Sequence, residues 1–274
     1  MSGDYGWGEL APFGCLQPPD PCLTITLDGI EFTGSAPQGF GYGITGWSGW
    51  IDGAEATGGP APYELRDGGY ETPLYGSGRT ITLEGVIVAR TGQELWEASD
   101  ALGRILAIGR WAPMVVTEDQ LGLERMMRVC RTRKPMITPR GSRRAADFTL
   151  EVQSARWEKL SPAKHYQRFY SGQAFPVENQ GDYPGQMNAE LVGPLTNPQL
   201  SWPGGSWTYR ASIPAGEKRT VTFWDRNVRN PATTANSRLA VAGDWPYAQP
   251  GSHSYTLTGQ GAGYVDLWWW SAWS

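Results

Sequence analysis

The stretch from Arg79 to Thr117 constrains the fold most, because it sets the one convincing long helix between two strands. Residues 80–88 (Thr-Ile-Thr-Leu-Glu-Gly-Val-Ile-Val) alternate and then run apolar, the pattern of a mostly buried strand. Thr91-Gly-Gln-Glu94 reads as a capping box, in which the Thr91 hydroxyl accepts an early helix N–H and Glu94 reaches back to the cap. Leu95, Ala98, Leu102 and Ile105 form an apolar stripe, while Glu94, Glu97 and Asp100 face water. Asp100 and Arg104 stand four apart and are expected to pair. The spacing predicts a helix over 92–108, ended by a left-handed turn at Gly109 and kept from resuming by Pro113. Residues 114–117 then open a new strand. Almost everything else has β character, so the helix is expected to pack on a sheet.

With 274 residues, the chain is long enough for two cores. Its 36 glycines and 21 prolines lack a three-residue period, which excludes collagen and suits short strands joined by many turns. No signal peptide is expected from Met1-Ser-Gly-Asp, and no apolar run of about 18 residues offers a membrane span. Three cysteines, Cys15, Cys22 and Cys130, with no C-x-x-C pair, favour neither a disulfide framework nor a metal site. A local Cys15–Cys22 bridge stays open. The net charge of −4 conceals an asymmetry. Residues 1–124 carry 5 basic and 17 acidic side chains, and residues 125–168 carry 12 basic and 3 acidic. An acidic body with a basic segment can self-associate head to tail, although two solvated surfaces of one domain explain the charges equally well.

Residues 1–22 read as an extended N-terminal arm. Residues 23–27 and 30–33, joined by Asp28-Gly29, make the clearest hairpin, since Asp-Gly accepts the positive φ of a type I′ turn. Within the Gly-rich stretch 34–78 lies Gly41-Tyr-Gly-Ile-Thr-Gly46, a literal G-x-G-x-x-G. It has no strand before it and no helix after it, so turning β-structure is favoured over nucleotide binding. Residues 121–134 read as an arginine-rich strand and 146–153 alternate cleanly, so together they predict a long basic hairpin with its tip at 135–144. Prolines and a shift in composition place a domain boundary near 170–178. The expected organisation is an arm (1–22), a barrel-like sheet with one helix (23–170) and a jelly-roll-like sandwich (171–274).

Catalysis finds little support. His165 and His253 are isolated, no G-x-S-x-G, H-E-x-x-H or P-loop motif occurs, and no carboxylate pair stands out for glycoside hydrolysis. No cofactor or metal is expected. The basic cluster Arg125, Arg128, Arg131, Arg133, Lys134, Arg140, Arg143 and Arg144 lacks interleaved aromatics, which favours a protein-contacting arm over DNA recognition. Eight of the 14 tryptophans fall after residue 200. Trp245, Trp268 and Trp270 are candidates for a ligand or partner surface, with sugar stacking as the alternative to core and interface packing.

The order of elements resembles the distal tail proteins (minor tail proteins) of long, non-contractile-tailed bacteriophages. The resemblance rests on Arg79-Thr-Ile-Thr-Leu-Glu-Gly85 with the following helix, and on the basic hairpin ending at Trp157-Glu-Lys-Leu160. It continues through Asn179-Gln-Gly-Asp-Tyr-Pro184, Glu190-Leu-Val-Gly-Pro194, Ile213-Pro-Ala-Gly-Glu217, Val221-Thr-Phe-Trp-Asp225 and Gln249-Pro-Gly-Ser-His253. Residues 1–22 and 34–78 depart from it. The resemblance implies a structural virion protein assembled in the host cytoplasm. It implies a belt domain closing into a six-membered ring and a galectin-like sandwich outside it. The expected partners are the tail tube protein, the tail hub or tip protein and the tape measure protein, with DNA only passing through the channel. On that view the basic hairpin meets the neighbouring subunit's acidic belt. Other acidic side chains then line the channel.

Overall fold

A computed structural model describes residues 23–34, 40–52, 56–57, 61–62, 69–70, 75–107, 109–141, 144–233 and 235–274. The expectations for the arm, for Cys15 and Cys22, for Arg143 and for much of 34–78 fall outside these residues. The chain divides into two compact units, residues 1–157 and 158–274. The division comes ahead of the expected 170 because the strand at residues 165–170 pairs with the last long strand of the chain.

The first unit runs β1 (Leu23–Leu27), β2 (Ile30–Thr33), β3 (Gly41–Ser48), two-residue strands β4 to β7 (Ala56–Thr57, Ala61–Pro62, Gly69–Tyr70, Tyr75–Gly76) and β8 (Arg79–Val88). After them come α1 (Gly92–Arg104), β9 (Trp111–Glu118), β10 (Leu123–Arg131), β11 (Met136–Pro139) and β12 (Ala145–Ser154). Seven of these close into a barrel in the order β12-β8-β3-β2-β1-β9-β10, with β10 returning to β12. Asp28 and Gly29 take φ values of 50° and 83°, as the type I′ reading requires. Strands β2 and β3 run parallel. The expected long hairpin is two structures. Strand β10 pairs along its length with β9, meeting β12 only at residues 129–131, and β11 forms its own ladder with β12.

Inward alternation fills the barrel. Ile25, Leu27, Ile81, Leu83, Ile87, Leu150 and Val152 are fully buried around the rings of Phe32, Tyr42 and Phe148. Gly85 makes room for them: a Cβ there would lie 2.2 Å from the Gly43 carbonyl oxygen and 2.5 Å from the Phe148 ring. The G-x-G-x-x-G segment is strand β3, with a bulge between Ile44 and Gly46. Leu95, Ala98 and Leu102 of α1 join this core, and the Tyr42 hydroxyl donates to the Ala98 carbonyl at 3.0 Å. Burial raises the Tyr42 pKa.

The cap is nearly as read. The Glu94 N–H donates to Thr91 Oγ1 at 3.1 Å, while the Glu94 carboxylate accepts from the Arg90 N–H, one residue before the cap. The helix stops at Arg104, short of the expected 108, because Leu106 turns left-handed (φ 47°) and donates its N–H to the Asp28 carboxylate at 3.0 Å. Arg104 bonds the Asp100 carbonyl, not its carboxylate.

The second unit runs β13 (Lys159–Leu160), β14 (His165–Tyr170), β15 (Ala174–Asn179), β16 (Met187–Val192), β17 (Leu195–Trp202), β18 (Gly205–Tyr209), β19 (Ser212–Ile213) and β20 (Lys218–Thr222). It continues with β21 (Asn227–Arg229), β22 (Val241–Gly243), β23 (Gly251–Gln260), β24 (Tyr264–Trp269) and β25 (Ala272–Trp273). Two antiparallel sheets, β14-β24-β16-β20-β21 and β15-β23-β17-β18-β22, share one core that includes Phe169, Val177, Trp207, Phe223, Tyr255 and Leu267. Residues 193–198 are not only a turn. Strand β17 starts at Leu195 and takes in Pro198 at a register shift between Thr196 and Gln199, where Asn197 adopts φ 49°. Such a bulge removes the ladder bond that a proline cannot make. Asn179, 1% exposed, uses its whole amide. It donates to the Tyr183 and Ala248 carbonyls at 2.7 Å each and accepts from Gly181 and Ala272 at 2.9 and 3.0 Å.

Candidate assembly surface

Seven of the eight basic residues expected at a subunit interface lie among the described residues, and three of them, Arg131, Arg133 and Arg140, meet partners within the chain. Arg131 donates to the Gly103 carbonyl at 2.7 Å, at the negative end of α1. Arg133 lies 3.5 Å from Glu151, and Arg140 forks onto Asp147 with both carboxylate oxygens 3.1 Å from Nε. That fork holds the Asp147 carboxyl below its ordinary pKa. Arg125 is half-buried in β10 on the side of Met127 and Val129. Arg128, Lys134 and Arg144 are exposed, Arg128 standing opposite Pro113 on the outer wall and Arg144 following the tip of the β11–β12 ladder. Much of the positive charge is therefore answered within the chain.

What the sequence reading passed over is apolar. Trp96 is 74% exposed on α1, Met136 68% on β11 and Leu121 62% in the β9–β10 turn. Between α1 and β11 lies a groove of about 750 Å³, with Leu95, Trp96 and Asp100 on one wall and Ile137, Pro139 and Arg140 on the other. A smaller hollow of about 390 Å³ on the other flank of the helix includes Phe40, Tyr42, Arg90 and Glu97. Trp96 was legible in principle, since it sits among Gln93, Glu97 and Asp100, out of phase with the apolar stripe.

Of the candidate tryptophans, Trp245 packs on Trp207 and Phe223 at centroid distances of 6.1 and 6.3 Å, beside the core. Trp270 is half-buried, and its backbone N–H donates to the Gln186 carbonyl at 3.1 Å. Trp268 lies on the outer face of the five-stranded sheet, with the Lys164 ammonium 5.4 Å from its ring centroid. Tyr166, Arg168, Tyr264 and Asp266 share this face. Arg168 Nε and Nη2 donate to Asp266 at 2.7 and 2.8 Å, the Tyr166 hydroxyl donates to the same carboxylate at 2.7 Å, and the guanidinium lies 4.0 Å from the Tyr264 centroid. The Arg168 fork holds the Asp266 carboxyl below its usual range. No helix among the described residues is long and apolar enough to cross a membrane, and no group of three or more His, Cys, Asp or Glu gathers there.

Among solved structures, the hub protein Dit (gp 19.1) of phage SPP1 superposes with a TM-score of 0.62 over 91% of this chain and 98% of that one, at 13% identity. The two proteins share a fold. Its published description calls it a paradigm of the hub adsorption apparatus in phages infecting Gram-positive hosts. A chain of the phage P2 baseplate in its activated conformation covers 91% of this chain and 97% of its own at 6% identity, with a TM-score of 0.48. No family model and no curated protein sequence matches.

Proposed function

We propose that this chain is a structural protein of a bacteriophage tail, a distal tail adaptor with no chemistry of its own. In this reading six copies form a ring through the barrel unit, and the ring joins the tail tube to the tip hub, in contact with the tape measure protein. The sandwich decorates the ring, and DNA passes through its channel without being held. The observation that carries the reading is the fold shared with the SPP1 hub protein across nearly the full length of both chains. The exposed apolar side chains around α1 supply surface that association would cover. Acidic side chains of the first unit would face the channel and repel the DNA backbone.

Negative-stain microscopy and native mass measurement of the purified chain test the reading. Six-fold rings with an open centre are expected, and a stable monomer inside intact tails overturns it. The basic contribution is tested at Arg128 and Lys134, not at Arg131 or Arg133, whose intrachain partners would be lost with them. Rings unaffected by charge reversal at Arg128 and Lys134 remove the basic arm from the contact. A channel lined with Lys and Arg removes the acidic lining.

The outer face around Trp268 favours a second reading, glycan contact by the sandwich. Tyr166, Tyr170, Tyr264 and Trp268 there border a fixed Arg168–Asp266 pair. Titration with host-surface glycans, following tryptophan fluorescence, separates the two, since a pure adaptor gives no response.

A further inference from the structure

The cations of the second unit fall into two groups. Lys159 donates to the Ser274 carbonyl at 2.8 Å, Arg168 forks onto Asp266, Lys218 reaches Glu190 at 3.0 Å, Arg219 reaches Glu217 at 2.8 Å, and Lys164 lies over Trp268. The other basic side chains, Arg210, Arg226, Arg229 and Arg238, are exposed, and their guanidinium groups meet no carboxylate, carbonyl or ring among the described residues.

The fold gathers these arginines at one corner. Arg226 sits at φ 50° in the turn that leads from β20 into β21, and Arg229 ends β21. Arg229 bridges antiparallel to Asn236, and the Ser237 N–H donates to the Val228 carbonyl at 2.8 Å, which lays the segment before Arg238 along β21. Arg238 opens a short 3-10 turn whose last residue, Ala240, accepts the Arg210 N–H at 2.6 Å. Val228 is buried, so by alternation Arg229 takes the outer face of the five-stranded sheet.

Little negative charge answers them. On that face Arg229 stands opposite Thr220, and Thr220 opposite Glu190, which puts Glu190 two strands or about 10 Å away, where it already holds Lys218. Glu217 holds Arg219. Asp225 is the remaining carboxylate between residues 210 and 240, so four arginines against one aspartate leave an excess of three positive charges.

The composition of the corner selects its ligand. Protein partners are anchored by aromatic or apolar side chains at the centre of the contact. The exposed large hydrophobic residues of this unit, Tyr166 and Tyr170, lie on β14, at the opposite edge of the sheet from β21. Bases of a single strand need open rings to stack on, and Trp224 beside the corner is half-buried and packed edge-on against Tyr247 at 5.5 Å. What the corner offers is charge in the form of guanidinium forks, each able to match two phosphate oxygens at once.

We propose that the corner formed by Arg210, Arg229 and Arg238, with Arg226 beside it, binds a sugar-phosphate or polyol-phosphate polymer of the host surface. The phosphate chemistry follows from the free guanidinium groups, and placing the polymer on a host rests on the tail reading above.

Calorimetric titration of the full chain with purified poly(glycerol phosphate) tests this, with dextran, poly-glutamate and random-sequence duplex DNA as the other arms. The phosphate polymer should bind, more weakly as salt rises. Arg229→Ala and Arg238→Ala should each lower the affinity about tenfold and flatten the log–log salt dependence by about 1. Their unfolding temperatures should match wild type, because neither side chain has a partner to lose. Lys164→Ala removes an equal charge at the far edge of the sheet and should leave binding unchanged. No binding of the phosphate polymer, or binding that survives loss of both arginines, overturns the site and leaves the tail reading standing. Dextran, poly-glutamate or duplex DNA bound as tightly as the phosphate polymer overturns the ligand class. A chain that binds the polymer yet is missing from purified tails overturns the host placement together with the tail reading.

Discussion

The barrel and the sandwich settle their surfaces differently. Of the nine exposed large hydrophobic side chains among the described residues, seven lie in the first unit (Phe40, Ile51, Trp96, Trp111, Leu121, Leu123 and Met136). The two in the second unit, Tyr166 and Tyr170, each carry a hydroxyl, and that of Tyr166 is bonded to Asp266. The sandwich thus settles its own surface toward water: the outward Tyr166 and Tyr170 rings are amphipathic, and the buried Asp266 carboxylate on that face is forked by Arg168. The barrel leaves aliphatic and indole surface uncovered. Such surface is tolerated singly, but clustered around a groove it marks an association site. In the ring reading, the barrel is the unit that association would cover.

The sharpest way to break this contrast is to unfold one unit without the other. Asn179→Leu removes four hydrogen bonds to the backbone of the sandwich, and should cost about 3 kcal/mol or more. Amide exchange should rise over 158–274 and stay unchanged over 23–157, and a rise in both would contradict their independence. Gly85→Val is the reciprocal change in the barrel, where the new side chain meets Gly43 and Phe148. About 1–3 kcal/mol of destabilisation is expected, confined to the first unit.

The ion pairs sharpen the comparison through pH. Arg168 depresses the Asp266 carboxyl, so the unfolded chain binds that proton more tightly than the folded one. The stability this provides is present above the unfolded value of about 3.9 and is lost as pH falls through the folded value. The melting temperature of the sandwich should therefore drop below about pH 4, and Asp266→Asn should flatten the drop. Thr91→Ala removes the helix cap and should cost about 1 kcal/mol, read as faster exchange in the first turn of α1. Smallest of all, Trp96→Gln should change stability by no more than about 0.5 kcal/mol while weakening association. A large loss of stability would move Trp96 from the surface into the core.

Local chemistry made much of this fold legible. Asp28-Gly29 announced the first hairpin, and Thr91 and the Leu95 stripe announced the helix, each within a few residues. The failures share a cause. The boundary was expected after residue 170 because only Phe169 of β14 is deeply buried, and the rest of that strand answers to partners near residue 266, invisible at that separation. The helix was expected to overrun because Ile105 continues the stripe, whereas Asp28, far back in the chain, stops it. The arginine cluster looked unspent because Glu151 and Asp147 lie across a ladder whose register no pattern revealed. The exposed Trp96 breaks the amphipathic phase, a signal easily passed over when the stripe itself is so clear.

Closure of the barrel depends on β12, which pairs with β8 along one edge and shares the other between β10 and β11. Because Ser154 ends that strand, a chain emerging from the ribosome exposes unpaired edges of β8 and β10 until its first 154 residues are out. Edges left open in this way recruit other strands. A cell making many copies at once would then benefit from slow translation or a chaperone over that interval, and chains truncated before residue 145 should collect in the insoluble fraction.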